Sequence, residues 1–198
     1  MEQLDRDAIN RSEAAKPGPI HLLMDRTDTP IGELIVVADR EGRLRAVDWA
    51  DHEDRLRRLL RLHYGADGYT IEAARDPAHC AVALKAYFAG NLAAIDDLPV
   101  ETGGTAFQRA VWRALRDIPC GETISYGELA GRIGHPAAVR AVGHANGANP
   151  VSVVVPCHRV IGSDGSLTGY GGGHERKRWL LTHEGAALRP APRRRRPA

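Results

Sequence analysis

Residues 105–147 read TAFQRAVWRALRDIPCGETISYGELAGRIGHPAAVRAVGHANG, and this stretch decides the fold of the second half of the chain. Thr105-Ala106-Phe107-Gln108 is a capping box, in which a hydroxyl and an amide three residues on satisfy backbone groups left free at a helix start. Phe107, Val111 and Leu115 follow at i, i+4 and i+8 and share one face; Pro119 and Gly121 end that helix. Ser125-Tyr126-Gly127-Glu128 is a second capping box, with Leu129 and Ile133 behind it. Gly134-His135-Pro136 is a tight turn, and Pro136 is placed as the first residue of a third helix running to Asn146-Gly147. Helices joined this way form a helix-turn-helix arrangement, although the pattern equally fits a helical hairpin with no binding role. On the third helix Ala137, Arg140, Ala141 and His144 fall at i, i+3, i+4 and i+7. They form either a smooth face carrying one long cation toward a nucleic acid or an alanine-rich packing face with Arg140 at its edge.

The first half has a different pattern. Ile20–Asp25, Ile31–Ala38 and Leu44–Trp49 are short aliphatic runs separated by Asp28-Thr29-Pro30 and Asp39-Arg40-Glu41-Gly42, and they predict a small antiparallel sheet. Glu53–His63 alternates acids and arginines around Leu56, Leu59, Leu60 and Leu62 and predicts a surface helix. A second helix is expected over Asp76–Phe88, stopped by Gly90-Asn91. These signals divide the chain into a polar, disordered stretch over 1–18, an N-terminal α/β domain over 19–91, a linker over 92–104, a second domain over 105–186 and a basic tail over 187–198. No apolar run reaches the 18 or more residues that a membrane helix needs. The polar N-terminus is no signal peptide, so the expected location is cytoplasmic, with no membrane partner.

Residues 1–100 carry 13 Lys/Arg against 18 Asp/Glu, a balance of −5, while residues 101–198 carry 14 against 7, a balance of +7. Without the four arginines Arg193–Arg196 the second half still holds +3, so a polyanion meets it more favourably than the first. Cys80, Cys120 and Cys157 are far apart and contain no CxxC pair, which argues against a disulfide framework and a zinc site. No metal or other cofactor is expected. Val151-Ser152-Val153-Val154-Val155 predicts a buried strand delivering Pro156-Cys157-His158-Arg159-Val160. A free cysteine is commonly an inert small hydrophobe. Here it stands beside an imidazole and a guanidinium, which lower a thiol's pKa and supply thiolate near neutral pH.

Pro156-Cys157-His158-Arg159-Val160, preceded by Asn149-Pro150, resembles the active-site signature of the O6-alkylguanine-DNA alkyltransferases, the methylated-DNA–protein-cysteine methyltransferases. The likeness extends through Thr123-Ile124-Ser125-Tyr126, Arg140-Ala141-Val142-Gly143, Leu167 to Gly173 and Trp179-Leu180-Leu181 to His183-Glu184-Gly185. It is looser in Thr29-Pro30-Ile31-Gly32 and Ala86-Tyr87-Phe88-Ala89-Gly90. The resemblance implies an α+β fold: a ribonuclease H-like N-terminal domain with a small antiparallel sheet and helices, then a helical, winged helix-turn-helix domain. It implies single-use transfer of an alkyl group from O6-alkylguanine, and from O4-alkylthymine, to Cys157.

By similarity, His158 takes the thiol proton through a bridging water and Glu184 orients that imidazole, in the logic of a Cys-His-acid site. Tyr126 would protonate the leaving base at N3, unless it is a core or cap tyrosine. Asn149 would tie the recognition helix to the active-site strand, with Pro156 and Arg159 as structural neighbours. The helix bearing Arg140 would enter the minor groove of duplex DNA and Arg140 would fill the stack behind a flipped base. Ser125, Tyr126, Ala137, Ala141 and Gly143 would complete the DNA contact. Val160, Tyr170, Gly171 and Gly172 would line the base pocket, with the Cys157 and Val160 carbonyls accepting the exocyclic amine; the alternative for these glycines is a flexible surface loop. Some relatives carry serine where Gly171 lies, and its absence is expected to widen the pocket. Val139, where a smaller residue often occurs, is expected to face the core. The protein would act as a monomer that can cluster on DNA. The rival readings are a multiple-turnover Cys-His hydrolase, a non-enzymatic sensor of alkylated DNA, and a transcription factor using the helix-turn-helix alone.

Overall fold

The computed structural model describes residues 18–188. The expectations for the remainder of the N-terminal stretch and for Arg193–Arg196 lie outside the described residues.

Three strands, β1 (Ile20–Thr29), β2 (Gly32–Asp39) and β3 (Leu44–Trp49), pair antiparallel in sequence order. The sheet is nevertheless mixed. A fourth strand, β4 (Tyr69–Ala73), pairs parallel with β1, giving the order β3-β2-β1-β4. The wholly antiparallel sheet expected from sequence is corrected accordingly. A parallel neighbour needs a crossover, and α1 (Glu53–Tyr64) supplies it. The strand period of two explains why β2 reads as an unbroken apolar run. Ile35 and Val37 turn to one face with Leu22, Ala46, Leu56 and Leu60, and α1 covers them. Leu34, Val36 and Ala38 turn to the other, joining Leu84, Tyr87 and the core of the second half. The sheet is therefore covered on both sides.

The helix expected over Asp76–Phe88 is shorter: α2 spans Ala81–Phe88. Asp76 and His79 adopt positive φ, which a continuing helix forbids, and the Asp76 side chain accepts from the Ala81 amide. Residues 92–104 include a short 3-10 turn at Leu92–Ile95, and Val100 bridges to Leu44 at the sheet edge.

Both capping boxes form. Thr105 opens α3 (Ala106–Arg116), with reciprocal bonds to Gln108 of 3.2 and 2.9 Å, and Ser125 opens α4 (Tyr126–Arg132), with bonds to Glu128 of 3.1 and 2.6 Å. Val111 and Leu115 are buried with Phe107 packed beside them. The third helix, α5, spans Val139–Gly147. Pro136 is thus not its first residue, and Ala137 lies in the preceding turn rather than on the helical face. Gly134, at φ 76°, turns the chain between α4 and α5.

Val151–Val155 is buried as expected but is not a strand. Val151 makes one bridge to Val47, after which the chain turns, with Val153 at φ 71°. That conformation strains a β-branched residue, and the packed core around it holds it there. Cys157 accordingly sits on a 3-10 turn, Cys157–Arg159, rather than at a strand end. A two-stranded wing, β5 (Ile124–Ser125) paired with β6 (Val160–Ile161), and α6 (His174–His183) complete the domain.

Candidate active site

The turn at Cys157–Arg159 is held from three sides. From the end of α5, Asn149 donates through Nδ2 to the Val155 carbonyl at 2.8 Å and accepts through Oδ1 from the Val151 amide at 3.0 Å, which shapes the turn ahead of Pro156. From β3, the Val47 amide donates to the Pro150 carbonyl at 2.9 Å, and the Ser152 amide donates back to Val47 at 2.7 Å. From the end of α6, Glu184 receives the side chains of His158 and Arg159.

Glu184 is a fully buried carboxylate with four donors. Oε1 accepts from His158 Nε2 at 2.9 Å, from Arg159 Nη2 at 2.9 Å and from the Tyr87 hydroxyl at 2.6 Å, and Oε2 accepts from Arg159 Nε at 2.8 Å. Burial pushes this carboxyl upward, but His158 and Arg159 outweigh it and hold the group well below the usual range. A carboxylate can only accept, so Nε2 of His158 carries a proton and Nδ1 is left as the ring's acceptor. Nδ1 is buried and has no partner. Burial also depresses the His158 pKa, with Glu184 opposing it, so the resting imidazole is neutral.

The thiol departs from expectation. Cys157 is 5% exposed, and burial raises its pKa against the opposing pull of Asn149, Arg55 and Lys177. The expected lowering by its sequence neighbours fails because burial wins and because Arg159 turns away. Its guanidinium binds Glu184, the Ile118 carbonyl at 2.5 Å and Cys120 Sγ at 2.9 Å. At rest the site holds a neutral thiol and a neutral imidazole whose Nδ1 is an acceptor without a partner. Cys80 is buried and Cys120 half-buried, with burial raising their pKa values to about 12 and about 11.

Asn146, whose Nδ2 reaches the Cys157 carbonyl at 3.4 Å, lines a cleft of about 530 Å³ together with Tyr126, Arg140, Gly169, Tyr170 and Gly171, among others. Gly143 and His144 also line it. Arg140, Ala141 and His144 are exposed on α5, and Ala137 is exposed ahead of it. Val139 is 40% exposed, so the expectation that it faces the core is corrected. Ser125 is engaged in its capping box. The Tyr126 hydroxyl accepts from Thr168 Oγ1 at 3.0 Å. Tyr170 meets the His158 ring edge-on at 6.3 Å, and its buried hydroxyl lacks a hydrogen-bond partner. Val160 is buried and its carbonyl accepts from Lys177 Nζ at 2.6 Å.

Gly172 is required by close approach, and Gly171 sits against a side-chain end that a Cβ would displace. A Cβ on Gly172 would lie 2.2 Å from Trp49 Nε1, and one on Gly171 would lie 2.6 to 2.8 Å from the Arg55 guanidinium. The space expected to widen the pocket at Gly171 is therefore taken by Arg55. This arginine, on α1, pairs with buried Asp48 and donates to the Gly147 and Asn149 carbonyls at 2.8 and 3.1 Å.

Arg55, Trp49, Tyr87, Lys177 and Asn146 all touch the site, and the sequence reading assigned none of them a role. Three of these five come from the N-terminal half, whose approach only the tertiary structure reveals. Lys177 did carry a signal: it shares a helical face with Leu180, Leu181 and Glu184 at i, i+3, i+4 and i+7, and a lysine on an apolar face needs a partner. It is fully buried, donates also to the Thr168 carbonyl at 3.1 Å, and burial pulls its pKa to about 8. Among the described residues, no cluster of three or more His, Cys, Asp or Glu suits a metal ion, and no helix is long and apolar enough to cross a membrane.

Comparison with known proteins agrees with this geometry. Residues 22–102 match the ribonuclease-like domain of 6-O-methylguanine DNA methyltransferase, and residues 106–186 match its DNA binding domain. A methylated-DNA–protein-cysteine methyltransferase of Salmonella typhimurium is 56% identical over 169 residues, covering 85% of this chain and 99% of that protein. The crystal structure of Mycobacterium tuberculosis O6-methylguanine methyltransferase is 40% identical, with a TM-score of 0.68 over 86% of this chain and 96% of that one. A structure of the Mycobacterium tuberculosis protein in complex with DNA is 42% identical, with a TM-score of 0.66 over 84% of this chain and 93% of that one. The chain belongs to the 6-O-methylguanine DNA methyltransferase family.

Proposed function

We propose that this protein repairs DNA by moving the alkyl group of an O6-alkylguanine directly onto Cys157. The observation that carries the reading is the buried relay in which Glu184 fixes His158 with Nδ1 free, on the residue that follows Cys157 in the chain.

The reaction is displacement at a saturated carbon. Cys157 Sγ loses its proton to His158 Nδ1, directly or through water, and forms the new S–C bond as the C–O6 bond breaks. The electron pair stays with the purine, and a proton delivered to N3 from the Tyr126 hydroxyl neutralises it. Glu184 stabilises the imidazolium, and Lys177 and Arg55 favour the thiolate electrostatically. The thioether product offers no leaving group to water, so each molecule acts once. Cys157 is 5% exposed, so the thiol is reached only as its surroundings move to admit the base. O4-alkylthymine is the second substrate of this reading, and the site works without a cofactor.

A target carbon stacked in a duplex has to be flipped out at a cost of a few kcal/mol. Exposed Arg140, Ala141 and His144 on α5 support minor-groove contact by this helix, and the positive balance of the second half supports phosphate attraction. Ala137 adds to that surface from the turn. The partner is duplex DNA, and the protein acts in the cytoplasm as a monomer able to cluster on its substrate.

Incubation with an oligonucleotide containing O6-methylguanine, followed by intact-protein mass measurement, tests the reading. One methyl on Cys157, absent in Cys157→Ala, is the expected result; turnover beyond one equivalent rejects it.

A further inference from the structure

Two nitrogen-bearing side chains of α5 reach the cleft, a guanidinium and an imidazole. Val142, Ala145 and Asn146 bury the inner side of the helix, and the Trp112 indole of α3 donates to the Ala145 carbonyl at 2.8 Å, so the opposite side is held outward. Arg140 and His144 stand exposed on that outer side and line the cleft. Four residues apart, they are surface neighbours about 6 Å along the helix axis. Among the described residues neither side chain has a hydrogen-bond or ion-pair partner. The groups facing His144 are Arg140 on its own helix, Tyr126 of α4 and Tyr170 on the far wall. Helices α3, α4 and α5 hold one acid between them, Glu128, and it is tied to the Ser125 amide at 2.6 Å. No carboxylate among the described residues lines the cleft, so a protonated His144 finds its counter-charge outside the protein.

We infer that His144 is a phosphate-binding residue: its imidazolium holds a backbone phosphate flanking the damaged guanine once that base enters the cleft. This role rests on the repair reading above. A base passing into the cleft draws its own sugar and phosphates to the cleft's edge, where His144 stands one helical turn beyond Arg140. Phosphate oxygens accept, and the protonated ring donates from both nitrogens. The neutral ring keeps one N–H but no charge, so it displaces no counterion from DNA when it binds. Histidine ordinarily changes charge between about pH 5 and 8, so the contact adds an electrostatic component to DNA binding on the acid side of neutrality.

Equilibrium binding to a duplex holding one O6-methylguanine, followed as salt is varied, reads the charge directly, and Cys157→Ala keeps transfer from consuming the complex. Each phosphate neutralised steepens the slope of log K against log salt by about 0.9. Between about pH 8 and about pH 5.5 the slope of Cys157→Ala should steepen by that amount, and affinity at fixed salt should rise by about two- to fivefold, the worth of one exposed ion pair. Adding His144→Gln, which keeps a donor but cannot take a charge, should remove more than half of the steepening and leave binding at the higher pH unchanged. Steepening that survives this substitution overturns the inference, as does a slope of the parent protein that ignores pH or an equal loss of affinity at both pH values. An uncharged methylphosphonate at the phosphates on either side of the O6-methylguanine should also abolish the pH-dependent part; its persistence there overturns the phosphate assignment. Methyl transfer is measured separately with Cys157 intact, and its absence rejects the repair reading whatever the slopes show.

Discussion

Glu184→Gln probes the group on which the site's geometry converges. The carboxylate takes four hydrogen bonds, from Tyr87, from His158 and twice from Arg159. Glutamine has one oxygen. If it occupies the Oε2 position, its NH2 faces Tyr87, His158 and Arg159 Nη2; in the opposite orientation it faces Arg159 Nε. In both cases Arg159, 4% exposed, loses its counter-charge and keeps one bond to the glutamine oxygen besides those to the Ile118 carbonyl and the Cys120 sulfur. Breaking a buried ion pair on one side costs about 3–5 kcal/mol. At roughly 2–4 °C per kcal/mol for a chain of this size, Tm falls by about 6–20 °C near pH 7. The pH dependence has a definite sign. The folded pKa of Glu184 lies below its unfolded value of about 4.3, so the stability it contributes is full above that value and is lost as pH falls through the folded one. The gap between wild type and variant should therefore be widest at neutral pH and shrink below about pH 4.3. Thermal unfolding followed by calorimetry across that range measures it. A loss below about 1 kcal/mol, or a gap that grows in acid, would refute the buried-carboxylate account.

Two further substitutions test the periphery. Arg140→Ala should slow repair in duplex DNA by about tenfold or more, since base flipping costs a few kcal/mol, and should leave reaction with the free alkylated base nearly unchanged. Equal losses on both substrates would show that Arg140 does not assist flipping. Gly171→Ser places a Cβ against a guanidinium that Asp48, Gly147 and Asn149 hold in place, so the arginine must give up some of those bonds. The denaturation midpoint should drop by the equivalent of about 1–3 kcal/mol; an unchanged midpoint would mean that Arg55 moves freely.

The readings that held in the sequence rest on local chemistry. Each capping box is a bond between residues three apart, so Thr105 with Gln108 and Ser125 with Glu128 fix helix starts wherever the chain folds. The aliphatic composition of β1 to β3 is local in the same way. Readings that depended on continuation were weaker. Pro136 can begin a helix, yet α5 starts at Val139. Val151–Val155 has strand composition, yet Asn149 bonds across it and bends it into a turn. Composition specified its burial, and tertiary bonding its shape.

The candidate site divides along the same line. Cys157-His158-Arg159 and Glu184 are visible as residue types able to do nucleophilic chemistry, and the sequence placed them near one another through a family likeness. The charge state of the thiol could not be read there, because a pKa depends on what surrounds a group in space. Burial keeps Cys157 protonated, and the cations that act on it are Arg55 and Lys177, at distant positions in the chain, while adjacent Arg159 serves Glu184. Local hydrogen bonding and side-chain period are written along the chain and were determined by sequence alone. Desolvation and long-range charge exist only once the two halves meet, and so the tertiary structure alone decided them.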